Sequence, residues 1–274
     1  MINYPYNLHS HTFFGDGKNT PEEMAAAAFS KGFKTYGFSE HSVLPWYESW
    51  CMTPYGQDEY IKKVNRLKKE YEGKMEIALG IEMDLNSDYT EKQLNQFDYI
   101  ISSVHSVTSP DGKICYADAS ENKMVEGIEI MGGANIFAEK YFENVVRASR
   151  REKADILGHF DLVLKYNQSA KFIDENAKWY RDLALSAAGE VAKSGIIVEV
   201  NTGAISRKAR SIPYPTKEII GYMNEKGVRF ILSSDTHATD TLDCFFDGSI
   251  ELLKSCNVKT LVTYENGQFG EMKI

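Results

Sequence analysis

The chain has few cysteines, no long apolar run and no excess of basic residues, and each absence narrows its class. The four cysteines form no C-x-x-C pair, so we expect reduced thiols. No stretch approaches 18 apolar residues, and the first residues lack the basic and apolar regions of a signal peptide. We therefore expect a cytoplasmic protein without a membrane span.

Acidic residues outnumber basic ones by 39 to 31, which gives a formal net charge of −8. This balance disfavours a broad nucleic-acid-binding surface, although bound metal ions would still allow a small anionic substrate. The composition is 43% hydrophobic and 26% charged, which predicts a folded core. No Gly/Ser/Pro-rich linker divides the chain, so we expect one domain over residues 1–274. The oligomeric state stays open.

Short apolar segments alternate with longer helical ones. Repeated βα units with apolar strands predict a parallel sheet covered on both faces, and seven or eight such units predict a closed barrel. Residues 106–135 are poorly patterned, and we interpret them as a loop or lid. The predicted strands are 2–8, 33–39, 75–83, 99–104, 154–158, 196–200, 228–233 and 259–264. The predicted helices are 20–31, which begins at the N-cap Thr20 and ends at Gly32, 58–73, 136–152, 174–194 and 217–226.

All the histidines lie at or just past the ends of predicted strands, where parallel barrels place their chemistry. Most of them have a carboxylate, a hydroxyl or another histidine within two residues. Imidazole combined with carboxylate oxygen suits divalent transition metals. The six histidines are His9, His11, His41, His105, His159 and His237. This placement predicts an enzyme with a multinuclear metal centre.

Two of the segments offer a pair of ligands on one side of the chain. In extended backbone, residues two apart point the same way. His9 and His11 can therefore bind one ion, and Asp235 and His237 form a similar pair. Each pattern alone is a weak signal, but their recurrence at the strand ends of one barrel is a strong one.

Four segments together resemble the motifs of the PHP (polymerase and histidinol phosphatase) superfamily. They are His9-Ser10-His11, Gly80-Ile81-Glu82, Gly158-His159 and Ser234-Asp235-Thr236-His237. Supporting segments at 37–41 and 199–203 are similar to those of the stand-alone histidinol-phosphate phosphatases. The resemblance spans nearly the whole chain. It implies a distorted (β/α)7 TIM-like barrel with three divalent ions, which would be zinc, iron or manganese.

The resemblance also implies three ligand groups, two of which share one glutamate. The first group is His9, His11, Glu82 and Asp235. The second group is Glu82, His105 and His159. The third group is Asp16, His41 and His237.

The activity implied by the resemblance is hydrolysis of L-histidinol phosphate to L-histidinol and phosphate, in histidine biosynthesis, by a hydroxide that bridges two ions. Three divalent ions and three carboxylates leave a charge of about +3, which suits a phosphomonoester dianion. We expect catalytic roles for Glu82, Asp235 and His237. Asp235 or a bound water would protonate the leaving oxygen.

Substrate contacts are expected from the loop after the sixth strand. Arg207 is predicted to clamp phosphate through its two parallel N–H donors, and Lys208 and His41 are further predicted contacts. Asp161 is a candidate orienter of a ligand histidine. One position departs from the family pattern: Asn7 stands where many members have aspartate, which affects the tuning of the metal more than its binding.

Three other functions fit part of the pattern. Another PHP phosphoesterase, acting on nucleotides, oligonucleotide ends or phosphotyrosine, would share the ligand set, but the acidic composition disfavours long nucleic acids. A non-catalytic metal-binding accessory module would lack some of the metal ligands, whereas this sequence has a suitable residue at all nine predicted ligand positions. A metal-dependent amidohydrolase would more often carry a bridging lysine, and Lys165 is poorly placed for that role.

Overall fold

The computed structural model describes residues 3–274, which form a parallel β-sheet surrounded by helices. The strands are β1 (Tyr6–Asn7), β2 (Thr35–Phe38), β3 (Glu76–Asp84), β4 (Tyr99–Ser103), β5 (Ser106–Thr108), β6 (Ile114–Tyr116), β7 (Ile156–Leu157), β8 (Ile197–Asn201), β9 (Phe230–Ser233), β10 (Thr260–Glu265) and β11 (Gln268–Lys273). The helices are α1 (Pro21–Lys31), α2 (Pro54–Glu70), α3 (Glu91–Leu94), α4 (Glu121–Met131), α5 (Ala134–Ala148), α6 (Lys178–Ser194), α7 (Gly203–Ser206), α8 (Lys217–Glu225) and α9 (Phe246–Ser255). Within residues 3–274, no helix has both the length and the apolar composition needed to cross a membrane.

Seven strands form one parallel sheet in the order β1-β2-β3-β4-β7-β8-β9. Just past the two edge strands, Ser10 and Thr236 form a parallel bridge, so the edges of the sheet meet in a nearly closed barrel. This confirms the predicted distorted (β/α)7 TIM-like barrel. The expected start of the first strand, at Ile2, lies outside the described residues.

Tyr99, the first residue of β4, is buried in the barrel interior. Its buried hydroxyl lies 2.9 Å from the carbonyl oxygen of Phe38 and 2.5 Å from that of Leu8. The ring needs glycine on the two strands it meets, because an added Cβ at Gly80 would lie 2.2 Å from the ring and one at Gly37 would lie 2.4 Å from the hydroxyl. The barrel interior around Tyr99 is therefore packed, and the polar side chains gather at or past the carboxyl ends of the strands.

Helix α1 follows the predicted capping pattern. The Thr20 hydroxyl accepts a hydrogen bond from the backbone N–H of Glu23, and the Glu23 carboxylate accepts one from the N–H of Thr20. Gly32 ends the helix at φ 89°, in the left-handed region that glycine tolerates. The prediction of this helix from its caps is confirmed.

Other predicted boundaries were wrong. Residues 106–135 are not a plain loop: they contain the β5–β6 hairpin and α4, because Val107 and Cys115 are buried and Ser120 caps the helix. Helix α2 begins four residues earlier than predicted, after the N-cap Thr53, and α6 begins four residues later. Strand β10 pairs antiparallel with β11 rather than extending the barrel, because a two-residue left-handed turn at 266–267 reverses the chain.

Candidate metal centre

The H-x-H segment after β1 and the D-x-H segment after β9 run side by side at the carboxyl end of the barrel. The backbone N–H of His11 donates to the carbonyl of Thr236 at 2.8 Å, and the N–H of Thr236 donates to the carbonyl of His9 at 3.3 Å. These bonds extend the parallel bridge past the ends of both strands. The barrel closure therefore brings together two segments that lie more than 220 residues apart in the sequence.

The first predicted ligand group is compact and buried. His9 Nε2 lies 3.3 Å from Glu82 Oε2 and 3.8 Å from Asp235 Oδ1. His11 Nε2 lies 3.5 Å and 3.4 Å from the same two oxygens. The four side chains, which lie on or just past the carboxyl ends of β1, β3 and β9, thus surround one point.

The second predicted group lies on the other side of the same glutamate. Glu82 Oε1 is 2.9 Å from His159 Nε2 and 3.3 Å from His105 Nε2. The two oxygens of Glu82 therefore face different groups of histidines. This is the geometry that a bridging carboxylate requires.

The third predicted group is more open to solvent. Asp16 Oδ1 lies 3.1 Å from His237 Nε2 and 3.7 Å from His41 Nε2. The other nitrogen of His41, Nδ1, lies 2.8 Å from Glu82 Oε2. The Asp16 side chain is 41% exposed, whereas the first two groups are buried.

The donor set and its spacing fit divalent metal ions. At metal–ligand distances of about 2.1 Å, the ligands of a tetrahedral site lie about 3.4 Å apart, close to the separations in the first group. Nε2 of His9 and Nε2 of His11 are buried and have no hydrogen-bond partner among residues 3–274. Buried polar atoms are rarely left unpaired in native proteins. These atoms therefore fit a site whose partner is a cation.

Two carboxylates contact the Nδ1 atoms of predicted ligand histidines, on the side of each ring away from Glu82. Glu199 Oε1 lies 2.6 Å from His9 Nδ1, and Asp84 Oδ2 lies 3.1 Å from His105 Nδ1. A carboxylate on Nδ1 keeps the proton there and leaves Nε2 free to bind a metal. Sequence reasoning did not assign these roles, although both carboxylates lie at strand ends. Asp161, the residue proposed for this role, instead accepts a hydrogen bond from the N–H of Thr216.

Two buried carboxylates have lowered pKa values because basic side chains surround them. Burial alone would raise the pKa of Glu82, but the imidazoles of His9 and His41 hold that pKa well below its ordinary value. Burial would also raise the pKa of Asp235, which Arg207 and His9 instead hold well below its ordinary value. Both side chains are thus acceptor-only groups, as ligands to a cation must be.

Arg207 lies beside the first and third groups. Its Nη2 donates to Asp235 Oδ2 at 2.8 Å, and its Nη1 lies 2.9 Å from His237 Nδ1. The side chain is 29% exposed. Lys208 is exposed and lies away from these contacts, with φ 58°. Arg210, from the same loop, is buried against Glu175 and the carbonyl of Leu164.

Asn7 ties the first strand to the last. Its Oδ1 accepts hydrogen bonds from the backbone N–H groups of His9, at 3.3 Å, and Ser234, at 3.1 Å. Its Nδ2 donates to the Ser234 hydroxyl at 2.7 Å and to the Leu242 carbonyl at 3.3 Å. The amide thus both accepts and donates, which an ionised aspartate cannot do.

Aromatic side chains lie beside the histidines. The ring of Trp50 packs edge-on against His41, with centroids 4.8 Å apart, and lies 5.3 Å from His105. Trp46, in the same loop after β2, donates from its indole N–H to the Tyr116 hydroxyl at 3.2 Å. The loop after β2 and the β5–β6 hairpin therefore meet next to the metal-binding groups.

The chain is similar to known proteins over most of its length. A family model described as PHP domain matches residues 6–203. A Deinococcus radiodurans protein named "Probable histidinol-phosphatase" is 28% identical, over 92% of this chain and 94% of its own length. The histidinol-phosphatase of Bacillus subtilis is 24% identical, over 89% of this chain and 97% of its own length.

A solved structure shares the fold. It is the histidinol phosphate phosphatase of Lactococcus lactis, in complex with zinc, L-histidinol and phosphate. It matches with a TM-score of 0.68 at 20% identity, and the match covers 96% of this chain and 98% of that one.

Proposed function

The chain belongs to the PHP domain family, and on this premise we propose that it is a metal-dependent phosphatase that hydrolyses L-histidinol phosphate to L-histidinol and phosphate. The similarity to histidinol-phosphatases over nearly the full length of both chains supports this activity. We further propose three bound divalent ions, with zinc the first candidate because the Lactococcus lactis enzyme contains it.

The observation that carries the proposal is the position of Glu82. Its two carboxylate oxygens face different histidine groups at distances between 2.8 and 3.5 Å. Asp16 adds a third group beside them. We assign the ligands as the sequence predicted them: His9, His11, Glu82 and Asp235; Glu82, His105 and His159; Asp16, His41 and His237.

Bound divalent ions would supply a water that ionises near neutral pH and would neutralise charge on the phosphate. The protein's own contribution is to hold the ligands rigidly at the strand ends. Because Arg207 and His9 keep Asp235 ionised, the arrangement favours Asp235 as a ligand over Asp235 as the proton donor to the leaving oxygen. Glu82 and His237 contribute to catalysis by fixing the same centre.

Arg207 is the proposed phosphate contact. Its guanidinium lies within hydrogen-bond distance of Asp235 and His237 and is partly exposed, so a phosphate at the cluster would lie within its reach. A guanidinium presents paired donors that match two phosphate oxygens. Lys208 and His41 remain proposed secondary contacts.

The aromatic side chains near the centre suit the imidazole ring of the substrate. Trp50 packs against His41, and the Trp46–Tyr116 hydrogen bond joins the two segments beside it. Aromatic faces and edges bind planar rings through offset or edge-on contacts. We propose that these segments form the wall that distinguishes histidinol phosphate from other monoesters.

Phosphate release from a substrate panel tests the proposed function. The panel is L-histidinol phosphate, p-nitrophenyl phosphate, a nucleoside monophosphate, phosphotyrosine and a 3′-phosphorylated single-stranded DNA, each with metal-depleted protein as control. We expect kcat/KM for L-histidinol phosphate to exceed the others by about 100-fold or more. Equal kcat/KM values across the panel would reject histidinol phosphate as the specific substrate but would leave the metal-dependent phosphoesterase activity standing. If phosphate is released from none of the substrates, the proposed phosphatase activity is rejected.

A further inference from the structure

Glu199 contacts ligands of two different groups through its two oxygens. Its Oε1 lies 2.6 Å from His9 Nδ1. Its Oε2 accepts a hydrogen bond of 3.0 Å from the backbone N–H of His159. The side chain is fully buried in the barrel interior, on β8, and neither histidine lies on that strand.

Asn201 completes the arrangement from the same side of β8, two residues further on. Its Nδ2 donates to Glu199 Oε2 at 2.8 Å and to Asp235 Oδ2 at 3.3 Å. Its Oδ1 accepts from the backbone N–H of Gly203 at 2.8 Å, which fixes the orientation of the amide. Oε2 of Glu199 thus accepts from two N–H donors, the backbone of His159 and the amide of Asn201, and Oε1 is left to accept a proton on His9 Nδ1.

We propose that Glu199 is a positioning residue that fixes the His9 tautomer and the His159 backbone, and so sets metal affinity in two of the three ligand groups. This rests on the metal centre of the proposed function but not on the identity of the substrate. Glu199 touches neither the substrate nor an ion in this arrangement; it acts through its two histidines.

This positioning role requires Glu199 to accept at both carboxylate oxygens. A proton held on Nδ1 of His9 leaves Nε2 with its lone pair facing Glu82 and Asp235. The other tautomer would place the proton on Nε2, where it would block metal binding. Carboxylates behind ligand histidines commonly affect metal affinity by about 10- to 100-fold.

Glutamine at this position cannot reproduce the pattern in either orientation. With its oxygen toward His9, its NH2 faces two donors, the N–H of His159 and the amide of Asn201. If the glutamine NH2 group faces His9 instead, His9 Nδ1 must accept a hydrogen bond. The imidazole proton of His9 then lies on Nε2. Asn201 cannot compensate by flipping, because its own oxygen is already bound by Gly203.

The test compares metal retention in Glu199→Gln and Asp84→Asn with the wild type. Asp84 contacts only one ligand histidine, His105, through a side-chain nitrogen, so it is the matched single-ligand control. Each purified protein is loaded with zinc, titrated with a chelator and analysed for metal per chain. Folding is followed by circular dichroism.

We expect Glu199→Gln to release two ions at chelator concentrations about 10- to 100-fold lower than the wild type. The ion at Asp16, His41 and His237 should be retained, and Asp84→Asn should weaken one ion only. Because glutamine has nearly the same side-chain volume as glutamate, a purely packing role for Glu199 predicts that the variant retains metal as the wild type does. That result would overturn the proposal. If Glu199→Gln does not fold, Glu199→Asp is tested instead. We expect a smaller loss of metal affinity in this variant. Metal release at the same chelator concentrations as the wild type would again overturn the proposal. A wild type that binds three ions but does not hydrolyse histidinol phosphate would sink the proposed function alone.

Discussion

Glu82 Oε1 lies 2.9 Å from His159 Nε2, where the carboxyl ends of β3 and β7 face the barrel opening. The other oxygen of the same carboxylate faces His9 and His11. One buried side chain on β3 thus contacts histidines that follow two other strands, β1 and β7. Removing it should disturb more than one metal site, whereas most other ligands belong to a single group.

The ion at the third group is expected to exchange first. Asp16 is 41% exposed, while His9 and Glu82 are buried, so solvent and chelator reach this ion without opening the barrel. Timed chelation of the zinc-loaded protein should release one ion in a separate, faster phase. Asp16→Asn should lack that phase because the charged ligand is gone. Release of all three ions at one rate would contradict this assignment.

Arg207→Ala is expected to raise KM for L-histidinol phosphate by about 10- to 100-fold, the effect of losing a hydrogen bond to a charged group. Metal content should stay unchanged, because Asn201 still donates to Asp235 Oδ2. Steady-state kinetics and metal analysis measure the two effects separately. The control, Lys208→Ala, changes an exposed side chain of the same loop and should have a smaller effect. Wild-type kinetics in Arg207→Ala would exclude the phosphate contact.

Asn7→Asp is expected to destabilise the protein. An ionised aspartate would lose the donations to Ser234 and Leu242 and would set a negative charge against the Leu242 carbonyl. We expect the free energy of unfolding to fall by about 1–3 kcal/mol, measured by urea denaturation. The control Asn65→Asp, at an exposed position of α2, should change it by less than about 0.5 kcal/mol. Equal stability of Asn7→Asp and the wild type would show that the amide donors are unimportant.

The barrel and the convergence of the strand-end histidines could be predicted from the sequence because they follow local rules. Strand length, apolar composition and helix caps such as Thr20 depend on neighbours within a few residues. Histidines at strand ends must converge once the strands are parallel. The placement of His9 beside Asp235, for example, needs only the closure of the barrel.

The features that sequence reasoning missed depend on long-range contacts. Glu199 meets His9 across 190 residues, and no local pattern distinguishes it from another buried carboxylate such as Asp161. The β5–β6 hairpin was missed because its two strands are three residues long, too short to show a period. Strand β10 has the apolar pattern of a barrel strand, and only its pairing with β11 reveals otherwise.

The most direct test of the shared-glutamate assignment is the metal content of Glu82→Ala compared with His41→Ala. Zinc-loaded proteins are passed through a desalting column and analysed for metal per folded chain. Loss of Glu82 should remove two ions and lower phosphate release by about 1,000-fold or more, whereas loss of His41 should remove one ion. If Glu82→Ala retains as much metal as His41→Ala, the two groups do not share this carboxylate.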